Sequence, residues 1–528
     1  LLHRREVDRA INHGLALTVE SLMSSGSVTI APDASLDVLQ TLMGQSGWGQ
    51  IPVVESKAGE IVGIVTRTDL LKTLTPQPEL PAQDRVARML EKAVPPARLA
   101  LLHTLAEEAD KINLPIFVVG GFVRDLLLER PSLDFDIVVE GDAIFFARRL
   151  ADQYGGRVLT HQRFGTAKWD ISEIRETLLA RLPHMENGQA ARLPETLDLI
   201  TARTEFYEQP AALPTVESSS IKMDLHRRDF TINTLALRLD GSHYGRIHDY
   251  WGGLSDLRKG HIRVLHALSF VDDATRLLRA VRFEQRFGFQ IEPRTLALME
   301  ESLPLLNRLT GARLRHEINL ILAEPKAPDM LGRLAELNIL ETIHPALPWN
   351  KDLAHHLAAL DSSAVDPAWE LSSPTGQMNL RQVLGYLVWL GRLPDPTLRS
   401  IASRLRFKSN LKRLLTETSR INRTLPGLVG SQPSEFVHAF ENTPRLSLYA
   451  AYLVNQDPAY RQPLWRFVSQ WADVSPYTTG DDLRQMGLRP SPDYGRILTA
   501  LRDAWLDGKI ESREEEAALR NRMVAEIE

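Results

Sequence analysis

The stretch from Ile116 to Gly141 constrains the fold of this chain more than any other. It opens with Ile116–Val119, a short apolar run that predicts a buried strand. Gly120 and Gly121 follow, and two glycines allow the backbone to turn tightly and to approach a ligand closely. Phe122–Leu128 has helical spacing, so the glycines are predicted to open a helix. The first amides of such a helix suit a phosphate group.

Two acidic residues follow this predicted turn. Asp134 and Asp136 flank Phe135 in a second predicted strand, Phe135–Val139. Because side chains alternate along a strand, both carboxylates are expected on the same side. Two hard oxygen donors beside a phosphate-binding turn suit Mg2+ and a nucleoside triphosphate, and they permit two-metal phosphoryl transfer. Asp-x-Asp alone is more often a solvated strand edge, but the glycine turn and Arg124 favour the metal site.

Composition narrows the class of protein. With 528 residues, the chain is expected to hold three or four domains of roughly 100–200 residues each. It has no cysteine, which excludes disulfides and thiolate zinc sites, and no apolar run near the roughly 20 residues of a membrane span. The net charge of -5 argues against a uniformly basic nucleic-acid coat but permits a basic stripe. Without a secretory signal, a cytoplasmic location is expected, and the absence of an initial Met suggests a fragment.

The N-terminal part has a strand and helix rhythm of its own. Predicted elements are strands over 28–30, 51–54 and 61–65, a helix over 35–43, and a further helix from Asp69 capped by Thr68. Ile51–Val54 and Gly63–Asp69 resemble a CBS domain, a module that usually pairs and often binds adenosine nucleotides. The resemblance implies that Thr66 and Asp69 hold phosphate and ribose, although a module without a ligand is the commoner case.

Two further motifs follow in the chain. Residues 203–224 are polar and contain Pro and Ser, which predicts a mobile loop. His226–Asn233 then concentrates charged donors and acceptors that suit triphosphate oxygens and a ribose hydroxyl. Phe270–Phe287 predicts one amphipathic helix, in which Asp273 and Arg276 share a face. Asp198, inside a predicted strand, is a candidate third metal carboxylate or, more commonly, a salt-bridge partner.

Five motifs, in order, resemble the bacterial class II tRNA nucleotidyltransferase and poly(A) polymerase family. They are Gly120–Asp125 with Asp134–Asp136, Arg227–Asn233, Asp249 with Gly252, Gly253, Asp256 and Leu257, Asp272–Phe283, and, more loosely, Arg313–Glu317. The match covers about 99–340. The fourth motif usually opens Glu-Asp in the family and opens Asp272-Asp273 here.

The resemblance implies roles for individual residues. Asp134 and Asp136 are implied catalytic residues that bind Mg2+. The implied nucleotide-binding residues are Gly120, Gly121, Arg124, Asp125, Arg227, Arg228, Asp229, Asn233, Asp273, Arg276, Arg279 and Arg282. Among these, Asp229 would accept from the ribose 2′-hydroxyl, and Asp273 with Arg276 would contact the edge of the incoming base.

The activity implied is template-independent nucleotidyl transfer to the 3′ end of tRNA. A CBS module ahead of the catalytic head is typical, in this family, of enzymes that add only the terminal A from ATP. Full CCA addition with CTP and ATP, poly(A) tailing, and a non-enzymatic CBS-based adenosine nucleotide sensor are the alternatives. Phosphate contacts to tRNA are expected from Arg313 and Arg315 and from Lys408, Lys412 and Arg413. A homodimer through the CBS module is also implied, and no membrane contact is expected.

The fold class expected is therefore α+β. Residues 1–17 would be a connector from a missing CBS partner, 18–75 a CBS domain and 76–97 a linker. Residues 98–240 would be a nucleotidyltransferase head with a mixed sheet, 241–372 a helical neck, and 373–528 a helical body and tail.

Overall fold

The computed structural model describes residues 18, 20, 28–46, 48–55, 59–67, 69–70, 80–130, 135–182, 193–206, 215–362, 365–372 and 378–526. The chain forms two compact units, Leu1–Pro81 and Ala82–Glu528. The predicted connector over 1–17, the predicted cap Thr68 and the predicted metal ligand Asp134 lie outside the described residues.

The described residues of the first unit include a helix, a hairpin and further helical residues at Glu20, Arg67, Asp69 and Leu70. Helix α1 spans Leu36–Ser46, and strands β1 and β2 span Gln50–Val54 and Ile61–Thr66. The two strands are antiparallel, and a small core that includes Leu39, Met43 and Ile51 lies between helix and hairpin. The strand predicted over 28–30 is reduced to a single bridge between Ile30 and Val53.

A seven-stranded mixed sheet organises the first half of the second unit. The elements up to the end of this sheet are α2 (Gln83–Ala93), α3 (Pro96–Asp110), β3 (Ile116–Val119), α4 (Gly121–Leu127), β4 (Ile137–Val139), α5 (Ala143–Tyr154), β5 (Arg157–His161), β6 (Thr166–Asp170), α6 (Arg175–Leu179), β7 (Thr196–Thr201), β8 (Arg203–Phe206), β9 (Thr215–Ser218), α7 (Ile221–His226), β10 (Leu235–Arg238) and β11 (Ile247–Asp249). The strand order is β11-β10-β3-β4-β7-β6-β5, and β4 with β7 is the parallel pair.

The two faces of this sheet carry different layers. Ile116, Val118 and Ile137 belong to the main core with α3 and α5. Phe117 and Val138, which alternate with them, belong to a smaller core with α7. This alternation places helices on both faces and leaves the carboxyl end of β3 open toward α7.

The structure corrects the loop predicted over 203–224. β8 and β9 form an antiparallel hairpin in which Arg203 pairs with Ser218 and Thr204 with Glu217, and α7 follows directly. Ser219 N donates to Ala202 O, so the backbone hydrogen bonding of the hairpin continues into the serine-rich segment. Polar composition indicated a loop because two strands that pair with each other can form without the apolar alternation that marks a strand of a core sheet.

Helices dominate the remainder of the second unit. The elements are α8 (Gly253–Lys259), β12 (His261–Ile262), α9 (Ser269–Asp272), α10 (Arg276–Phe287), β13 (Gln290–Ile291), α11 (Pro293–Ser302), α12 (Gly311–Leu322), α13 (Ala327–Glu336), α14 (Ile339–Ile343), α15 (Lys351–Ser362), α16 (Leu380–Leu390), α17 (Asp395–Arg404), α18 (Ser409–Thr424), α19 (Pro433–Phe440), α20 (Arg445–Val454), α21 (Pro458–Arg466), α22 (Gly480–Gln485), α23 (Pro492–Leu506) and α24 (Arg513–Ala525). The expected α+β class, with a mixed sheet followed by helices, is confirmed. Among the described residues, no helix combines the length and the apolar character that a bilayer span requires.

The predicted linker over 76–97 is partly folded. Helix α2 buries Val86 and Leu90 completely, and Gln83 Nε2 donates to Ser242 O at 2.8 Å and Tyr244 O at 2.9 Å. These contacts attach the segment from Ala82 onward to the second unit.

Candidate functional site

The glycine turn after β3 brings the backbone against an arginine. Gly120 has φ +68°, a left-handed conformation that glycine adopts without strain. A Cβ built there would lie 2.7 Å from Arg228 Nη1, so the guanidinium sits directly over the turn. Any side chain at this position would displace Arg228, and α4 begins at the next residue, Gly121.

Asp224 holds Arg228 in this position, and the sequence analysis missed it. The Asp224 carboxylate is fully buried and accepts from Arg228 Nη2 at 3.0 Å and from Arg227 Nη2 at 2.7 Å. Burial raises the pKa of Asp224, but Arg228 and Arg227 outweigh burial, and the net pKa lies below its usual range. The signal was present, because Asp224 precedes the two arginines by helical spacings of three and four.

Arg228 retains an unused donor. Its Nε is buried and has no hydrogen-bond acceptor within the part of the chain that the structure describes. A buried N–H without a partner is costly. The nitrogen that faces the Gly120 turn is Nη1, so an anion on the turn would meet the other end of the guanidinium.

Asp136 lies on the same face of the sheet as α7. Phe135 and Ile137, on either side of it, both belong to the main core, and Phe135 packs edge-on against Phe122. Alternation therefore turns the exposed Asp136 side chain toward the opposite face, which also carries Val119.

Asp198 is the nearest acid along the neighbouring strand. In the parallel β4–β7 register Ile137 is opposite Leu199, and the residues that precede this pair are Asp136, just before β4 begins, and Asp198 within β7. Asp198 Oδ2 contacts Lys168 Nζ at 2.8 Å, and both side chains are over 40% exposed, which is the salt bridge named as its commoner role. Within the described residues, no group of three His, Asp or Glu forms a ready metal cage.

A buried polar network connects α4 to α10. Arg124 Nη1 donates to Asn233 Oδ1 at 2.6 Å, and Asn233 Nδ2 donates to Asp229 Oδ1 at 2.9 Å. Asp229 Oδ2 accepts from Arg279 Nε at 2.9 Å and also from Arg279 Nη2. Arg124 further contacts Asp125 at 2.8 Å.

Several residues predicted to contact the nucleotide are bonded to other protein residues in this network. The Asp229 carboxylate already accepts four hydrogen bonds, including one from Phe230 N at 2.8 Å. Arg124 is 3% exposed and stacks over the Phe287 ring at 4.4 Å. In this structure these residues join the sheet to α10; direct contact with a nucleotide stays a prediction for them.

The predicted helix over Phe270–Phe287 is broken, and this corrects the prediction of a shared face. α9 ends at Asp272, Asp273 is extended with φ -145° and ψ 100°, and α10 begins at Arg276. Asp273 Oδ1 accepts from Thr275 N at 2.9 Å and Thr275 Oγ1 at 2.6 Å. A short acidic side chain that bonds the backbone two residues on competes with the helix, so Asp273 and Arg276 do not share a helical face.

Asp273 and Arg276 nevertheless keep polar atoms that could contact a ligand. Arg313 Nη2 also bonds Asp273 Oδ1, at 2.8 Å, so all three contacts of Asp273 use the same oxygen. Arg276 is 6% exposed and donates to Ser269 O, Ser269 Oγ and Arg227 O. Arg282 is held by Glu317 at 3.3 Å.

The expected tRNA-binding cations fall into two groups. Arg313 bonds Asp273, and Arg315 donates to Leu405 O at 3.0 Å and also to Arg406 O. Lys408, Lys412 and Arg413, here called the α18 basic cluster, are exposed. The first group is half-buried and engaged in these bonds, with the Arg313 side chain 37% exposed, whereas the α18 basic cluster is exposed throughout.

The predicted ligand residues of the first unit bond each other. Thr66 Oγ1 donates to Asp69 Oδ2 at 2.6 Å, and Asp69 N donates back to Thr66 Oγ1 at 3.2 Å. Both residues are on the surface at the end of β2.

Comparisons with known proteins agree with this architecture. Family models match at residues 116–263 (Poly A polymerase head domain), 288–350 (Probable RNA and SrmB- binding site of polymerase A) and 19–75 (CBS domain). The CBS-like fold expected at the N-terminus is thereby confirmed.

Three similar proteins are informative. The A-adding tRNA nucleotidyltransferase of Geobacter sulfurreducens is 33% identical over 99% of this chain, which spans 59% of the length of that relative. The A-adding tRNA nucleotidyltransferase of Halalkalibacterium halodurans is 30% identical over 82% of this chain and 94% of its own length. The structure of the Thermotoga maritima CCA-adding enzyme complexed with tRNA is 29% identical with a TM-score of 0.64, over 84% of this chain and 98% of that one.

Proposed function

Because the chain belongs to the bacterial tRNA nucleotidyltransferase and poly(A) polymerase family, we propose that it transfers AMP from ATP to the 3′ end of tRNA. One observation carries the proposal most directly. The Arg228 guanidinium lies over the Gly120 turn with an unused buried donor, on the sheet face to which Asp136 is turned. A triphosphate on this turn would meet Arg228 Nη1, the guanidinium nitrogen that faces the turn, on the side of the sheet that we assign to Asp136.

We assign the nucleotide contacts among the protein residues accordingly. Arg228 would bind the triphosphate as a charge-assisted donor, oriented by Asp224. Asp273 would accept from the amino group of the incoming base through Oδ2, because its other oxygen is already engaged by Thr275 and Arg313. Arg276 would donate to the base edge from the opposite direction.

The residues present fit a magnesium ion. Mg2+ is commonly bound by one or two carboxylates, with water and substrate phosphates completing its shell, so a closed protein cage is unnecessary. Asp136 supplies an exposed carboxylate, and Asp134 would supply the second. When bound, the ion would polarise the α-phosphate and neutralise charge on the leaving pyrophosphate.

The choice of A rather than full CCA addition rests on the relatives. Adenine and cytosine both present an amino donor beside a ring-nitrogen acceptor, so a carboxylate with a guanidinium accepts either base. Three relatives at 30–35% identity carry the name A-adding. Full CCA addition is the second candidate, because the CCA-adding enzyme of Thermotoga maritima shares the fold.

The test uses the purified 528-residue chain and three tRNA transcripts, which end before CCA, after CC, or after CCA. ATP and CTP are supplied separately, and labelled tRNA ends are resolved on a sequencing gel. One A added to the CC-ended transcript, with no CTP incorporation, is the expected result. Efficient CTP incorporation would establish CCA addition, and repeated A addition would establish a poly(A) polymerase.

Several wider assignments belong to the same proposal. We propose the domain limits 18–75, 76–97, 98–240, 241–372 and 373–528, the α18 basic cluster as a phosphate contact for tRNA, and a cytoplasmic site of action. Ile61, Val62 and Ile64 on β2 are each more than half exposed, which supports pairing of the CBS module with a second copy. Adenosine nucleotide binding at Thr66 and Asp69 would require their mutual bond to open.

A further inference from the structure

A cavity of about 230 Å3 lies beside the base-reading segment, and the proposed nucleotide contacts leave most of its lining unexplained. Its lining includes Met223, His226, Arg227, His266, Asp272 and Arg276. The volume corresponds to about eight water molecules at ~30 Å3 each, which suits a single nucleobase.

One wall of the cavity is aromatic. The His226 and His266 rings stack with centroids 5.6 Å apart and planes 26° apart, and Trp251 supports His226 from 4.5 Å. Burial lowers the pKa of both histidines, so the rings are neutral at pH 7. Neutral flat rings are surfaces on which nucleobases stack.

The polar edge of the cavity carries an acceptor and donors. The Asp272 carboxylate has His266 Nε2 at 3.6 Å, and it accepts no hydrogen bond from any residue that the structure describes. Arg276 donates three of its five N–H groups inside the protein. A base in the cavity would therefore meet a carboxylate that can accept and a guanidinium that can donate.

The side chains of the neighbouring residues Asp272 and Asp273 have different surroundings. Asp273 is turned to Arg313 of α12 and does not line the cavity, whereas Asp272 lines it with His266. The break between α9 and α10 separates the two carboxylates.

Building on the proposed function, we propose that this cavity binds the 3′-terminal cytosine of the tRNA, and that Asp272 selects cytosine over uracil there. Cytosine presents an N4 amino donor, which Asp272 accepts, with N3 and O2 as acceptors for arginine. Uracil presents O4 at the same place, and an oxygen facing a carboxylate is repelled. Stacking on His226 and His266 would fix the base and hence the ribose 3′-hydroxyl next to the incoming nucleotide.

The test compares A addition to tRNA transcripts that end in CC, in CU, or in C followed by 2-pyrimidinone, which lacks the N4 amine. The wild-type chain should prefer CC over CU by about 5- to 150-fold in kcat/KM, the range for one good base-edge pair. Asp272→Asn should lose most of this preference, chiefly through slower use of the CC-ended transcript. The pyrimidinone-ended transcript should be slow with wild type and no slower with Asp272→Asn.

The controls separate the possible failures. Asp273→Asn should change the choice between ATP and CTP while keeping the preference for a terminal C. The assignment would be overturned if Asp272→Asn lost kcat/KM equally on CC- and CU-ended transcripts, or if the wild type did not prefer CC over CU. A changed ATP-to-CTP choice in Asp272→Asn, with the terminal preference intact, would instead assign the cavity to the incoming base. Failure of the wild type to extend the CC-ended transcript would overturn the proposed function itself. The comparison of CC-ended with pyrimidinone-ended transcripts uses only the wild type, so it does not depend on whether a variant folds.

Discussion

Replacing Arg279 by methionine tests whether the Asp229–Arg279 pair joins the sheet to α10. Asp229 is 7% exposed and is held by both Arg279 Nε and Arg279 Nη2. Methionine keeps the apolar stem but removes the charge. The buried carboxylate would then lack its strongest partner, while Asn233 and Phe230 continue to donate to its other oxygen.

The structure sets the expected magnitude. Burial raises the pKa of Asp229, yet Arg279, Asn233 and Arg276 lower it from 3.8 to about 2. That difference corresponds to about 2 kcal/mol of stability at pH 7, at ~1.4 kcal/mol per pKa unit. Removal of one partner also leaves a buried charge unpaired, which costs about 3–5 kcal/mol.

Hydrogen exchange of peptides from α10, followed by mass spectrometry, measures this local cost directly. Arg279→Met should accelerate exchange there by about 150- to 5,000-fold, the equivalent of 3–5 kcal/mol. Arg286→Met is the matched control, since Arg286 lies on the same helix and its pair with Glu324 at 3.2 Å is 45% exposed on the arginine side. An exposed pair contributes about 0–1 kcal/mol, so exchange should change less than tenfold.

The pH dependence has a definite sign. Because the folded pKa of Asp229 lies below the unfolded value, its contribution is present above about pH 4 and is lost as the pH falls through about 2. In Arg279→Met, burial raises the folded pKa without this compensation. The difference between wild type and variant should therefore be largest at pH 7 and should narrow toward pH 4. Unchanged exchange at pH 7, or an Asp229→Asn/Arg279→Met double variant less stable than Arg279→Met, would refute the reasoning.

Three further predictions concern the site and the tRNA surface. Gly120→Ala should raise the KM for ATP at least about tenfold, because the added methyl group displaces Arg228 and alanine is strained at φ +68° by about 1–2 kcal/mol. Gly427→Ala is the control: Gly427 has open space around it, and the KM for ATP should not change. Asp224→Asn should also raise the KM for ATP at least about tenfold through loss of a charge-assisted bond, and an unaltered KM would contradict the role given to Asp224. Glutamine at all three positions of the α18 basic cluster should reduce the slope of log affinity for tRNA against log salt by about 2–3, and an unchanged slope would exclude these phosphate contacts.

Local patterns predicted the elements around the glycine turn well. Ile116–Val119 is a fully buried strand, as its apolar run indicated. The helix predicted over 122–128 is α4, Gly121–Leu127. Helix α5, Ala143–Tyr154, also carries a local signal. The Asp142 side chain accepts from Ile144 N and Phe145 N at its start. Such elements are predictable because the signals that define them lie within the segment itself.

The predictions that failed depended on competition between side chain and backbone or on a distant partner. Nothing in the apolar spacing of the segment from Phe270 to Phe287 shows that Asp273 bonds Thr275 and breaks the helix. The hairpin of Arg203 with Ser218 was missed because its strands are polar and pair only with each other. The role of Asp224 could have been found, since its spacing to Arg228 is helical.

We propose that Asp136 acts in phosphoryl transfer on the sheet face that carries Arg228 and the Gly120 turn. Single-turnover transfer of labelled AMP to a CC-ended tRNA, by wild type and by Asp136→Asn, tests it most directly, with tRNA affinity measured in parallel. The rate of AMP transfer should be at least about 1,000-fold lower in Asp136→Asn, equivalent to several kcal/mol of transition-state stabilisation. The affinity for tRNA should be unchanged. AMP transfer by Asp136→Asn at the wild-type rate would contradict the proposal.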